Sequence, residues 1–172
     1  MNLKKLLSVI SLGFGSGLSP IAPGTAGSIV AACIYYFLFS SLIENYFHYF
    51  LFILFIVFCF FIGLYLYPKT VEGEEDPGSF VWDEFVGMWI ACLPIALFEK
   101  GFVWLFIAFI LFRLFDIWKP GLIKEYDDKA GAINVMMDDV LAGALSAVIL
   151  FAALLIISVS YTHLTLPTIL LV

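Results

Sequence analysis

The chain has 172 residues, of which 63% are hydrophobic and 13% charged, with a mean hydropathy of +1.09. Soluble domains carry about 45–50% apolar and about 25% charged residues, and a soluble fold of this length could not bury 19 phenylalanines, so the chain is a polytopic membrane protein. Its net charge of −6 comes from clustered carboxylates and excludes nucleic acid as a partner.

Residues 1–10 hold two lysines and then apolar residues, with no small-residue cleavage site, which reads as an interfacial N-terminal helix and not a signal peptide. Apolar stretches follow at 27–43, 46–67, 82–98, 101–118 and 138–158. A complete span needs about 20 residues, so the first and third are short and must tilt, thin the bilayer or re-enter it. Tight turns at Glu44-Asn45 and Glu99-Lys100-Gly101 make antiparallel hairpins of the helices that flank them. With five crossings, residues 1–26, 68–81 and 119–137 share one side. Lys4, Lys5, Lys69, Arg113, Lys119, Lys124 and Lys129 belong to it, and only Lys100 to the other, so that side is cytoplasmic. Twelve of the fourteen acidic residues lie there too, leaving Glu44 and Glu99 outside.

The acidic loop at 72–78 (EGEEDPG) reads as solvated, and Cys33, Cys59 and Cys92, isolated in apolar runs, read as small packing residues. The segment 160–168 (SYTHLTLPT) is what a common sequencing-library adapter gives on translation, so 159–172 reads as a non-native tail and His163 receives no function. The expected fold is therefore all-α: a membrane helical bundle of four to five spans, in one domain over 1–158, with its site facing the cytoplasm.

Three places hold chemistry. Residues 13–28 (GFGSGLSPIAPGTAGS) combine five glycines, two prolines and four hydroxyl residues, a composition that opposes helix, and irregular backbone in a membrane protein must be satisfied by protein or water. Thr25 and Ser28 fit the N-cap of a helix beginning near Gly27, and the free N–H groups of a glycine-rich helix start suit a phosphate; a plain capped turn has the same composition. Asp83-Glu84 and Asp138-Asp139 each stand at the head of an apolar run, and Asp116 at the foot of another. A helix start favours carboxylates without any function, but Asp116 sits at a C-terminal end, where the dipole disfavours it. Carboxylates brought together at a membrane boundary repel unless protonated or bridged, and Mg²⁺, hard and oxygen-liking, is the natural bridge. Arg113, Asp116 and Lys119 recur at i, i+3, i+6 and share a helix face until Pro120 stops it; the spacing serves either a structural charge ladder or a site with Asp116 as metal ligand and a cation on phosphate oxygens.

Absences narrow the chemistry. Outside the tail the one histidine is His48, in the external hairpin, so no histidine nucleophile or Ser-His-Asp or Cys-His arrangement forms on the cytoplasmic side. No cysteine is followed six residues later by arginine, and no DxDx(T/V) occurs, which removes phosphocysteine and the usual aspartyl-phosphate routes. Thr25 has no base evident beside it. For a phosphatase, metal-activated water remains.

The blocks GFGSGLSPIAPGT (13–25), VWDEFVGMWI (81–90), FRLFDIWKPGLI (112–123) and MMDDVLAG (136–143) resemble, in order and spacing, the four signature blocks of the phosphatidylglycerophosphatase A family, a likeness spanning residues 11 to about 150. The resemblance implies a Mg²⁺-dependent lipid phosphatase of the bacterial inner membrane that converts phosphatidylglycerophosphate to phosphatidylglycerol and phosphate. On this reading Asp83, Glu84, Asp116, Asp138 and Asp139 surround one or two Mg²⁺ ions, with the catalytic acid or base among Asp83, Glu84, Asp116 and Asp139. Gly24, Thr25, Ser28, Arg113 and Lys119 grip the phosphate. The partners are the lipid substrate and the bilayer, and nothing in the sequence indicates an oligomeric state. The alternative from another class is a cation or solute transporter using the same carboxylates; a CDP-alcohol phosphotransferase ranks last, because DGxxAR…GxxxDxxxD is absent.

Overall fold

The structure, a computed structural model, describes residues 3–70, 79–98 and 101–169, so the acidic loop at 72–78 and the turn residues Glu99 and Lys100 lie outside the described residues. Those described form helices and connections, with no strand among them. Among the described residues, three helices are long and apolar enough to cross a membrane: Pro23–Leu42, Tyr46–Thr70 and Ala132–Ser160.

Helix α1 (Leu3–Ser11) leads into a 3₁₀ stretch, Gly13–Leu18, kinked where Phe14 (φ 59°) and Gly15 (φ 100°) take left-handed backbone. Helix α2 (Pro23–Ile34) starts earlier than its glycines and prolines predict. Pro23 occupies the first turn, where a missing N–H costs nothing, and Ala22 precedes it without a side-chain cap. Thr25 and Ser28 are thus inside the helix and not at its N-cap. A π turn (Tyr35–Phe39) continues α2 into the short α3 (Ser40–Leu42). The Asn45 side chain then accepts the His48 N–H at 3.0 Å and opens α4 (Tyr46–Thr70), which runs through Pro68 and past the expected end at 67.

The apolar run at 82–98 forms two short helices, α5 (Trp82–Ala91) and α6 (Leu93–Leu97), broken at Cys92, two residues before Pro94. Helix α7 (Phe102–Trp118) ends with Lys119 in the left-handed region, because the following Pro120 disfavours helical backbone before it. Helix α8 (Leu122–Asp127) precedes α9 (Ala132–Ile169), which begins six residues before the expected 138.

Helix α5 is buried almost all round, packed against α2, α4, α7 and α9. In a bilayer, lipid tails would be as apolar as the side chains, so burial alone would not drive this association, and close packing and hydrogen bonds would have to. Trp82 Nε1 donates to the Cys59 carbonyl of α4 at 2.9 Å, and Trp89 Nε1 to the Ala31 carbonyl of α2 at 3.0 Å. Phe85 fills the space between, stacked on Trp82 and edge-on to Trp89 at centroid distances of 5.7 and 5.6 Å. Against α9 the contact is backbone on backbone: a Cβ on Gly143 would run into the Gly87 carbonyl oxygen, and a Cβ on Gly87 would lie 2.7 Å from the Asp139 carbonyl oxygen.

Gly143→Ala is therefore expected to cost about 1–3 kcal/mol, the usual penalty of overpacking. It should lower the thermal midpoint of the detergent-purified protein clearly more than Gly101→Ala, whose Cβ would meet nothing closer than 3.7 Å and which loses only the N-cap preference of glycine over alanine. Equal midpoints for both variants would remove the close approach from this account.

Candidate active site

One turn of helix separates each backbone contact from a carboxylate. Asp83 precedes Gly87 by four residues on α5, and Asp139 precedes Gly143 by four on α9, so the glycine contact sets the two acidic turns against each other. The last turn of α7 adds Asp116. Carboxylate oxygens of Glu84, Asp116 and Asp139, from three helices, lie within 4.8 Å of one another. Asp83 and Asp138 stand beside them, each accepting the N–H of the next residue, at 3.0 and 2.9 Å. Asp83, Asp116, Asp138 and Asp139 are all buried, Asp139 to 3% exposure.

The structure thus brings together the five carboxylates singled out in the sequence and corrects the placement of two. Asp138 and Asp139 are not at a helix head: α9 starts at Ala132, and both lie in its second turn, beyond the reach of the N-terminal dipole. Asp83 and Glu84 do occupy the first turn of α5.

The predicted cations divide between two tasks. Arg113 Nη1 lies 2.5 Å from Glu84 Oε2, 2.8 Å from Asp116 Oδ2 and 3.2 Å from Ser28 Oγ, while Ser28 Oγ is 2.7 Å from Glu84 Oε2. Ser28 is fully buried behind Glu84, so both residues orient carboxylates. Lys119 is not the third rung of an α7 ladder, since the helix has ended and its left-handed backbone sends Nζ to Asp127 and, at 2.9 Å, to Asp138. Burial opposes its charge, yet the hydrogen bonds that the ammonium donates to Asp127 and Asp138 outweigh that and hold its pKa above the usual lysine range.

A cleft of about 610 Å³ opens over the cluster. Its walls include Gly24 and Thr25 at the start of α2, the five carboxylates, Arg113, Lys119, and Asp127 to Ala130. The cleft walls hold seven carboxylates against Arg113, Lys119 and Lys129, an excess of four negative charges if all are ionised, and its buried carboxylates then require protons or a bound cation. The donor set is oxygen alone, which suits a hard divalent ion.

Only part of the glycine-rich segment faces this cleft. At Gly24 a Cβ would overlap Glu84 Oε1, so glycine is needed there for that carboxylate to approach α2. Gly13, Gly17 and Gly27 pack on Val81, which is fully buried and donates its N–H to the Ser11 carbonyl at 3.0 Å. Gly87, Gly143 and Asp127 are not among the residues expected at the site from the sequence. The shared Asp-x-x-x-Gly spacing at 83–87 and 139–143 is the available signal for the first two; Asp127, the last residue of α8 within the charged run 124–129, carries none.

Arg113→Gln is expected to destabilise the protein by about 3–5 kcal/mol, the usual cost of removing one partner of a buried pair. Adding Asp116→Asn should recover part of that loss by lowering the excess negative charge. A double-mutant cycle on unfolding in detergent reads the coupling, and strict additivity would contradict it.

The family model described as Phosphatidylglycerophosphatase A matches residues 9–154. Phosphatidylglycerophosphatase A of Escherichia coli (strain K12) is 40% identical over 146 residues, covering 83% of this chain and 80% of the relative. That of Haemophilus influenzae is 39% identical over 155 residues, covering 88% and 91%. A Bacteroides thetaiotaomicron protein with the provisional name phosphatidylinositol-3-phosphatase is 38% identical over 151 residues, covering 84% and 91%. No solved structure matches the chain.

Proposed function

Since this chain belongs to the phosphatidylglycerophosphatase A family, we propose that its cleft hydrolyses the terminal phosphomonoester of phosphatidylglycerophosphate, giving phosphatidylglycerol and inorganic phosphate, with Mg²⁺ as cofactor. The observation that carries this reading is the convergence of Glu84, Asp116 and Asp139 from three helices. These three would hold the ion, with Asp83 and Asp138 beside them. When bound, the ion supplies a nucleophilic water at neutral pH and offsets charge on the phosphoryl oxygens. Arg113 and Ser28 keep Glu84 and Asp116 in place. Lys119, on the cleft wall, and the first turn of α2 at Gly24 and Thr25 hold phosphate oxygens.

In this proposal the chain lies in the bacterial inner membrane with four to five crossings, and the cleft opens to the cytoplasm, the side to which the lysine bias points. A diacyl substrate places its phosphomonoester at that boundary. The transporter reading fits less well, because transporters put their ion sites near the midplane on interrupted helices. Here Glu84 is in the first turn of α5 and Asp116 in the last of α7, at helix ends, and the break in the 82–97 segment is at Cys92, two turns from Glu84.

Purified protein in mixed micelles should release phosphate from phosphatidylglycerophosphate with Mg²⁺ and stop when the ion is chelated. Asp83→Asn and Asp139→Asn should each reduce kcat on the order of 10²-fold or more while the protein stays folded, the scale of losing a catalytic acid–base or charge-stabilising group. Glu44→Gln, in the far hairpin, should be silent. Near-normal turnover in both aspartate variants would remove the shared-ion site, and faster release from phosphatidylinositol 3-phosphate would reassign the headgroup.

A further inference from the structure

The walls of the cleft are not alike. Toward the α8–α9 connection they carry Asp127, Asp128 and Lys129, whereas between the start of α2 and the last turn of α7 they carry Ala22, Pro23 and Ile117. The apolar side continues outward: Ile21 is 93% exposed, Ile117 71% and Trp118 69%. Phe106, Ile110 and Leu114, also exposed, precede Ile117 at helical spacing on α7, so one apolar stripe runs about 17 Å along that helix and ends in the cleft wall. Tryptophan at such a helix end is typical of headgroup depth.

Resting on the phosphatase reading above, we propose that this gap is a lateral portal through which the lipid's phosphate enters while its acyl chains stay in the bilayer along the Phe106-to-Ile117 stripe. Every acyl methylene drawn from the bilayer into water opposes binding, so an approach from the aqueous side, which lifts many of them at once, is strongly disfavoured. An apolar gap level with the carboxylates avoids that cost. The occupant is therefore the diacylglycerol part of the substrate, and Ile117 is a positioning residue that selects for lipid.

Two measurements test the portal. The first compares kcat/KM for the diacyl substrate with that for its water-soluble deacylated form, glycerophosphoglycerol phosphate. Ile117→Asp should lower the diacyl-to-deacylated ratio roughly tenfold. An unchanged ratio, whether both rates fall or neither does, overturns the portal. Failure of the wild type to cleave either compound would instead overturn the phosphatase reading. The second needs no turnover: a photo-crosslinking residue at position 117, in vesicles, should capture a diacyl lipid bearing a phosphomonoester in preference to a neutral lipid with the same chains. The same probe at Phe47, exposed on the far hairpin, should show no preference. Equal capture of both lipids at position 117 would mean ordinary bilayer contact and would refute the portal.

Discussion

Two helices meet here at a distance that only glycine allows, and the carboxylate cluster follows from that approach. Gly87 of α5 and Gly143 of α9 touch through their backbones, and one turn earlier on each helix stands an acidic residue. The acidic turns repel, and apolar side chains gain little by leaving lipid tails for one another, so something else must hold α5 in place. The indole N–H bonds of Trp82 and Trp89 to carbonyls of α4 and α2 do so, with Phe85 wedged between the rings. Short as it is, α5 can carry two carboxylates into the middle of the bundle because other helices enclose it and satisfy its polar groups.

Electrostatics complete the arrangement. Arg113 neutralises part of the charge from within, joining α7 to α5 and, through Ser28, to α2. Lys119 does the same at the rim, joining the end of α7 to α8 and α9. Both cations are already paired, and the sites still carry more negative charge than they offset. That residual charge is what a divalent ion would balance, and in the reaction proposed above the ion would also offset the repulsion between the carboxylates and an anionic phosphate.

What the sequence revealed and what it hid have physical reasons. Charged residues at the ends of long apolar runs are costly, so Asp83, Glu84, Asp116, Asp138 and Asp139 are legible as one group in the sequence. Helix starts are not. Proline at a first turn reads as a breaker in composition, so the sequence suggests too late a start for α2, and the mostly apolar residues 132–137 (AINVMM) that open α9 are cut off from the long apolar run by Asp138 and Asp139. Glycine is ambiguous in the same way: Gly13, Gly17 and Gly27 have the composition of a phosphate loop, yet they make room for Val81. Lys119 looked like a rung of a helical ladder because periodicity does not register that the residue before a proline leaves the helix.

The asymmetry of the cleft connects the fold to the reaction proposed for it. The two products differ in kind, one a diacyl lipid and the other a small anion, and the two sides of the cleft differ to match. Ala22, Pro23 and Ile117 form an edge that a lipid can cross without exposing its chains, while Asp127, Asp128 and Lys129 border the watery side. A site deep in the bilayer would trap the phosphate, and one standing clear of it would have to lift the lipid out at several kcal/mol. In the orientation proposed above, carboxylates in the first turn of α5, the last of α7 and the second of α9 would lie between those limits, and the points at which these helices begin and end would then be a requirement of the chemistry.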